Sequence, residues 1–283
     1  MTMKNSEVTL TTNKSLVIAF FLLVSLLILN SCGGVPEERT AATSTEKNVF
    51  SVEEVLEMVA KENDVTRTLY TKAIVGKGKA QGMKFDEDWR KDDVEAGPLP
   101  ALFLRGVATS IRKGPVPLGL YLGSDFPINN ANKFEGKQAE LFKEIKADQK
   151  PQFFYDEDQK LHTAMFADMA SAAACVSCHN DHKQTAKSDW VLGDVMGATT
   201  WQYPKDSLTY KATVDVLNAY TKGTVDIYMA YLDEISKFKE SEKPEIGDKW
   251  PAEGKYLPTP EVFLDSVRKL TSYETMKKLV ASN

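Results

Sequence analysis

The chain has 283 residues, of which 42% are hydrophobic and 27% charged, a composition typical of a globular protein with one or two domains. Its net charge is −5, and acidic and basic residues are mixed along the chain without a basic block. These features argue against a nucleic-acid-binding protein.

The first 32 residues predict an exported lipoprotein. Lys4 and Lys14 precede an apolar run, Ser15 to Leu29, which has the length of a signal-peptide hydrophobic region and is short for a membrane span. The run ends in Leu29-Asn30-Ser31-Cys32, a pattern that resembles a bacterial lipobox. We therefore predict a signal peptide over residues 1–31 and a lipid anchor on Cys32. An uncleaved signal anchor is the alternative, and both interpretations place the chain in the cell envelope, facing the periplasm.

Residues 32–50 are predicted to be the acylated cysteine and a flexible tether, because Gly33 to Asn48 is rich in Gly, Pro, Thr and charge. A helix is predicted to begin near Ser51, which has capping-box spacing to Glu54. Apolar residues at helical intervals extend this prediction to about Val75, with a break near Asn63-Asp64.

Three further elements are predicted before the middle of the chain. A turn at residues 97–100 precedes a helix over residues 100–112. Residues 118–126 form a strand-like run, and residues 134–145 have the pattern of an amphipathic helix.

A hairpin is the clearest predicted local structure. Two strand-like runs, residues 152–155 and 161–166, flank the acidic turn Asp156-Glu157-Asp158, and residues 197–203 complete an antiparallel sheet. Alternation along the second run predicts two sets of side chains on opposite faces. The first set is Leu161, Thr163 and Met165, and the second is His162, Ala164 and Phe166.

The remainder of the chain is predicted to be helical. Apolar residues between 214 and 232 suit one long or broken helix, and Thr259-Pro260-Glu261 begins another by the preferences for the N-cap and N1 positions. Helices followed by a small sheet predict an α+β fold, with one domain over residues 51–204 and a helical extension over residues 205–283. A lid, a dimer surface and a scaffold are all open roles for the extension.

Two of the three cysteines and one of the three histidines lie within five residues, in Cys175-Val176-Ser177-Cys178-His179. Cys-x-x-Cys-His is the attachment signature of c-type haem. Two thiols one helical turn apart can form thioethers to both vinyl groups of a porphyrin, while the adjacent imidazole points at the iron. One motif predicts one covalent haem, held by Cys175 and Cys178, with His179 as the proximal iron ligand.

Three alternatives compete with haem at this motif. A thioredoxin-like redox pair lacks a βαβ pattern around the cysteines. A zinc site formed by Cys175, Cys178, His179 and His182 lacks a second, distant ligand pair. A structural disulfide between Cys175 and Cys178 would close a small loop and stabilise little.

The sequence also resembles a family of monohaem c-type, PAS-like periplasmic domains, found alone or fused to chemoreceptors, cyclases and histidine kinases. The resemblance extends from Ser51 to Tyr203 and includes GPLPALFLR, LYLGSDFPINNANKFEG, FADMASAAACVSCHNDH and SDWVLGDVMGA. It implies a PAS-like antiparallel sheet, thioethers at Cys175 and Cys178, and His179 as the proximal ligand. Some members carry a ligating cysteine in the helix that corresponds to residues 100–111, and this chain has none there.

The sixth iron ligand therefore stays open. The main candidates are His162, Met196, Met165 and Met83, with His182, Met58 and Met169 as further ones. His182 follows His179 too closely to reach across the same porphyrin. Phe153, Phe154, Tyr155 and Phe166 are candidates for the walls of a haem pocket, with ordinary sheet core as the alternative.

These features predict a lipid-anchored monohaem protein that senses redox state or a small diatomic gas and reports it to a signalling partner. Periplasmic electron transfer with a redox partner is the second hypothesis. Peroxidase-like chemistry with His162 as a distal acid or base is a third and weaker one, and enzymatic activity is not the favoured interpretation.

Overall fold

The computed structural model of the chain describes residues 49–271 together with Thr275 and Leu279. The predicted signal peptide, the lipid anchor at Cys32 and the tether up to residue 48 lie outside the described residues. The described residues belong to one unit, which begins at Glu46. Within them, no helix is long and apolar enough to cross a membrane.

The described part of the chain contains helices in both halves and short strands between them. The helices are α1 (Val52–Leu69), α2 (Lys77–Ala80), α3 (Pro100–Lys113), α4 (Gly136–Asp148), α5 (Ala173–Asp181), α6 (Tyr210–Ser236) and α7 (Pro260–Leu270). The strands are β1 (Val49–Ser51), β2 (Phe85–Asp86), β3 (Gly97–Pro98), β4 (Gly119–Gly123), β5 (Gln152–Asp156), β6 (Leu161–Met169), β7 (Val195–Tyr203), β8 (Ser207–Thr209), β9 (Glu245–Gly247) and β10 (Tyr256–Pro258). This mixture confirms the α+β fold class.

Helix α1 begins where the sequence predicts. The Glu54 amide donates to Ser51 Oγ at 3.2 Å, and the Ser51 amide donates to Glu54 Oε2 at 3.0 Å, which completes the capping box. The predicted break near Asn63-Asp64 is wrong, because α1 is continuous to Leu69 and a π-helical segment, Tyr70–Gly76, follows it. The helix is held by burial of its apolar face, which outweighs the weak helix propensity of Asn and Asp.

The central sheet has four antiparallel strands in the order β4-β7-β6-β5. The predicted hairpin is confirmed, with Phe154 opposite Thr163 in the β5–β6 pair. The predicted third strand is also confirmed, since Ala164 of β6 lies opposite Trp201 of β7. Strand β7 is buried along its whole length because β4 and β6 flank it on both sides.

The two faces of the sheet pack against different helices. Ala164 and Trp201 belong to the main core with residues of α1, α3 and α6. Met165 and Ala198 pack on the opposite face, in a smaller core formed with α4. The predicted alternation along β6 is therefore confirmed, and the sheet lies between two helical layers.

The helices after residue 205 share the main core with the rest of the described chain. Helix α6 is a single helix of 27 residues that packs along α3. A Cβ atom on Gly106 of α3 would lie 2.3 Å from Ile227 Cδ1, so the close approach of the two helices requires glycine there. Thr259 caps α7 through its side chain and Pro260 occupies the first turn, as predicted. Phe263 of α7 is fully buried in the same core.

Candidate functional site

Helix α5, which carries the Cys-x-x-Cys-His motif, lies in an excursion between β6 and β7. Two backbone hydrogen bonds close the base of this excursion: the Ala170 amide donates to the Asp194 carbonyl at 2.8 Å, and the Gly193 amide donates to the Ala170 carbonyl at 3.0 Å. Gly193 has φ of +91°, a conformation that glycine adopts readily. The motif is therefore presented at the end of the sheet from a closed loop.

The C-terminal end of α5 is tied to the returning chain by Asn180. The Trp190 amide donates to Asn180 Oδ1 at 2.9 Å, and Asn180 Nδ2 donates to the Trp190 carbonyl at 3.0 Å. Trp190 is buried and packs in a small cluster with Ala170 and Met196. Cys175 and Val176 pack against the same cluster, so one side of α5 is fixed to the loop.

The predicted haem-binding residues share one face of α5. Residues 175, 178 and 179 fall on one face because successive helical positions are separated by about 100°. The thiols of Cys175 and Cys178 are free and half-buried. Burial, with Glu87 as a smaller contribution, raises the pKa of the Cys178 thiol, which is therefore protonated at neutral pH. None of the nine residues of α5 is fully buried.

His179 is held in the form that binds metals. Burial lowers the pKa of its imidazole, and His182 adds to this effect, while the Asp168 carboxylate opposes it. Because the net effect is a lowered pKa, the ring is neutral at pH 7 and has a lone pair available to a metal ion.

His182 is engaged in a different contact. Its Nδ1 accepts a hydrogen bond from the Gln184 amide at 3.1 Å, and its Nε2 lies 2.9 Å from Glu87 Oε1. Because Nδ1 accepts a hydrogen bond, the ring proton resides on Nε2, next to the Glu87 carboxylate. Among the described residues, no group of three or more His, Cys, Asp or Glu side chains is arranged to hold a metal ion.

Three charged side chains lie near enough to the motif for their charges to act on it. Glu87 and Lys79 act electrostatically on Cys178, and Asp168 acts on His179. Asp168 also forms a bidentate ion pair with Arg67 of α1, with Nη1–Oδ1 at 2.7 Å and Nη2–Oδ2 at 3.3 Å. No local sequence pattern indicates this pair, because the two residues are 101 positions apart in the chain.

The four main candidates for the sixth ligand lie in different places. Met196 is buried in the cluster that contacts Cys175, and Met83 is buried in the main core beside Gly78 and Phe85. Met165 lies in the core on the α4 side of the sheet.

His162 lies near the start of β6, at the opposite end of the strand from the loop that carries α5. Its ring centroid is 4.8 Å from that of Tyr155. The seven residue-to-residue steps from His162 to Met169 span about 23 Å along the strand. The structure therefore brings Met196 beside the motif and places Met83 in the segment that contains Lys79 and Glu87.

The other candidate residues belong to packed surroundings. Met58 lies in the main core, and Met169 packs against the core on the α4 side. Phe153 and Phe166 form an edge-to-face pair with ring centroids 5.9 Å apart, on the face of the sheet that joins the main core. Phe154 packs on the α4 side, and Tyr155 is largely exposed.

The donor set fits a c-type haem. Two free thiols and a neutral imidazole lie on one face of a short, partly exposed helix whose C-terminal end is tied to Trp190 by Asn180. Thioether formation needs accessible thiols one turn apart, and axial ligation needs an unprotonated ring nitrogen. Cys175, Cys178 and His179 meet both requirements.

An α+β fold with a Cys-x-x-Cys-His helix between two strands of its sheet defines a cytochrome-like haem domain. Residues 46–204, more than half of the chain, match the family described as Tll0287-like. The chain belongs to this family, which is a family of monohaem c-type cytochrome domains. The match agrees with residues 51–203, over which the sequence resemblance was drawn. No curated protein and no solved structure matches the chain.

Proposed function

We propose that this protein binds one haem c covalently, through thioethers to Cys175 and Cys178, with His179 as an axial ligand of the iron. The observation that carries the proposal is the shared face of α5, which presents two free thiols and a neutral histidine. Membership of a monohaem cytochrome family supports it. When bound, the haem supplies one-electron redox chemistry and a binding position for small diatomic gases.

The protein's own residues hold this helix in place. Asn180 fixes the end of α5 to Trp190, and the hydrogen bonds at Ala170 close the loop on the sheet. These contacts keep the spacing of the thiols and the imidazole relative to the core. Covalent attachment would prevent loss of the cofactor from an exported protein.

Our proposal for the physiological role is sensing of redox state or of a diatomic gas, with the signal passed to a protein partner. The resemblance to sensor modules of chemoreceptors, cyclases and histidine kinases supports this role. The four-stranded antiparallel sheet with helices between its strands supports a PAS-like assignment of the fold. Export and attachment to a membrane through acylated Cys32 complete the proposal, and they rest on the N-terminal sequence alone.

One observation favours a second role, electron transfer to a redox protein. Val191 and Leu192 are 59% and 61% exposed in the loop that contacts α5, and Phe126 is exposed beside Trp190. Exposed apolar side chains near a redox centre suit a transient protein interface. Such an interface would bring a partner close to the haem helix.

The test of haem binding is production of the chain with the c-type maturation machinery, followed by mass measurement and optical spectra of the ferric and ferrous forms. We expect one haem that denaturation does not release, loss of covalent haem in Cys175→Ala/Cys178→Ala, and full attachment in the control Ser177→Ala. A wild-type chain without covalent haem would refute the proposal and favour a redox pair or a disulfide for Cys175 and Cys178.

Addition of CO to the ferrous protein separates the two roles. Ready binding of CO supports gas sensing, because it requires an open or weakly held sixth position. A six-coordinate low-spin ferrous haem that ignores CO supports electron transfer.

A further inference from the structure

A half-buried ion pair joins the last turn of α1 to the end of β6, next to the haem helix. Both Nη atoms of Arg67 contact the two carboxylate oxygens of Asp168, at 2.7 and 3.3 Å. The two side chains are only 20% and 19% exposed. The bidentate geometry fixes their relative orientation, and limited contact with water reduces screening of their charges.

Asp168 lies where its charge acts on the haem ligand. It occupies the irregular position of the β6–β7 pair, two residues before Ala170 at the base of the loop. Among the described residues, the groups whose charge acts on His179 are Asp168 and His182. Ala170 packs in the cluster that Cys175 contacts, so Asp168 lies at the base of the loop that carries the motif, and its charge acts on His179.

Arg67 connects this carboxylate to the C-terminal helices. Its charge also interacts with Tyr220 of α6, a residue that is 3% exposed in the main core. Helix α6 lies beyond the residues matched by the family, so this contact is made by the extension of this chain.

We propose that Arg67 and Asp168 form a charge pair that sets the reduction potential of the haem, with Asp168 lowering it through His179 and Arg67 offsetting that effect. The inference rests on the proposed haem function. A negative charge near the axial histidine stabilises the ferric form, which carries one more positive charge than the ferrous form, and a positive charge does the reverse. Asp168 and Arg67 act as positioning residues.

The pair also holds α1 against the sheet, and a purely structural role must be separated from a role in tuning. Loss of either partner would disturb the packing in a similar way, because each variant leaves the other charge unpaired. The effects on potential have opposite signs, since one variant removes a negative charge and the other a positive one. The sign of the shift therefore distinguishes the two roles.

The experiment is a spectroelectrochemical titration of the one-electron Fe(III)/Fe(II) couple in the full-length holoprotein. We expect Asp168→Asn to raise the potential by at least the equivalent of a tenfold change in the reduction equilibrium, about 59 mV for one electron. We expect Arg67→Gln to lower the potential, and Arg67→Lys, which keeps the charge, to remain closer to the wild type.

The matched control is Asp265→Asn on α7, which makes the same charge change in an exposed ion pair with Arg268. Its potential is expected to match that of the wild type, because exposed charges are screened by water and salt. Shifts of the same sign in Asp168→Asn and Arg67→Gln, or an Asp168→Asn shift no larger than the control, would overturn the inference.

Haem content separates failure of this inference from failure of the proposed function. A wild-type chain without covalent haem refutes the function itself, whereas a normal haem content with the wrong signs refutes only the role of the ion pair. If Arg67→Gln does not accumulate, the test rests on Asp168→Asn, whose reduction potential must be higher than that of the control Asp265→Asn. Asp168→Glu, which keeps the negative charge, is then expected to shift the potential less than Asp168→Asn does.

Discussion

Asn180 and Trp190 are joined by two hydrogen bonds, in which the amide side chain of the first binds both the N–H and the C=O of the second. This pairing ties the C-terminal end of α5 to the segment that leads back to β7. It explains how a helix with no fully buried residue keeps a defined position. The hydrogen bonds are partly buried, so their loss leaves main-chain groups unpaired.

Removal of the Asn180 amide is expected to destabilise the haem-binding loop. Asn180→Ala should lower the free energy of unfolding by about 1–3 kcal/mol, because it leaves a partly buried amide and carbonyl of Trp190 without partners. Asn180→Asp, which keeps the acceptor, should cost less. Urea denaturation of the holoprotein measures both values, and a stability of Asn180→Ala equal to the wild type would contradict the prediction. Asn129→Ala, at an exposed cap outside the loop, is the control.

The packing of α7 predicts that the C-terminal extension contributes to global stability. Phe263 is fully buried, stacks on Tyr228 at 4.5 Å between ring centroids and meets Phe103 edge to face. Phe263→Ala should lower the free energy of unfolding by about 3–5 kcal/mol, through lost burial and the cavity that remains. Leu270→Ala, on an exposed side chain of the same helix, should change little. A single cooperative transition with an unchanged midpoint in Phe263→Ala would show that α7 is not part of this core.

The contact between α3 and α6 predicts a compensating pair of substitutions. Gly106→Ala should destabilise the protein by about 1–3 kcal/mol, because the new Cβ would overlap the Ile227 side chain and strain outweighs the gain in helix propensity. Adding Ile227→Val, which removes the Cδ1 atom, should recover part of the loss. Thermal unfolding of the two single variants and the double variant completes the cycle. If the losses of stability in the two single variants simply add in the double variant, a direct clash between residues 106 and 227 is refuted.

The lowered pKa of His179 predicts a loss of stability in mild acid for the haem-free protein. Below the ordinary histidine value of 6.5 the unfolded chain binds a proton that the folded imidazole does not, so stability falls as the pH decreases from 6.5 towards the folded pKa. Denaturation of Cys175→Ala/Cys178→Ala between about pH 7.5 and 5.5 measures the decrease. Adding His179→Gln to this variant should make the decrease in stability smaller. An NMR titration that gives His179 a pKa at or above 6.5 would contradict the prediction.

The N-terminal sequence predicts lipid anchoring that depends on one thiol. Cys32→Ser should abolish acylation and processing before Cys32, while the haem domain still forms, because the described residues supply hydrophobic cores on both faces of the sheet. Cell fractionation and the mass of the mature chain measure the change. A Cys32→Ser protein that is processed like the wild type would favour cleavage by a different route, and an unprocessed wild type would favour the signal anchor.

The sequence by itself determined the features that depend on neighbouring residues. The capping box at Ser51, the Thr259-Pro260 start of α7 and the β5–β6 hairpin could all be predicted, because local hydrogen bonds and alternation govern them. The haem-binding motif could also be predicted, since Cys175, Cys178 and His179 lie within one and a half turns of helix. The break expected near Asn63 failed because burial of the helix, a tertiary effect, outweighed local propensity.

Only the tertiary structure decided the surroundings of the motif. The ion pair between Arg67 and Asp168, the amide pairing of Asn180 with Trp190 and the placement of Met196 beside Cys175 join residues whose partners no local pattern indicates. The inclusion of α6 and α7 in the main core is of the same kind. Local chemistry therefore points to the proposed haem ligands, whereas the charges and packing around them depend on how distant segments of the chain are brought together.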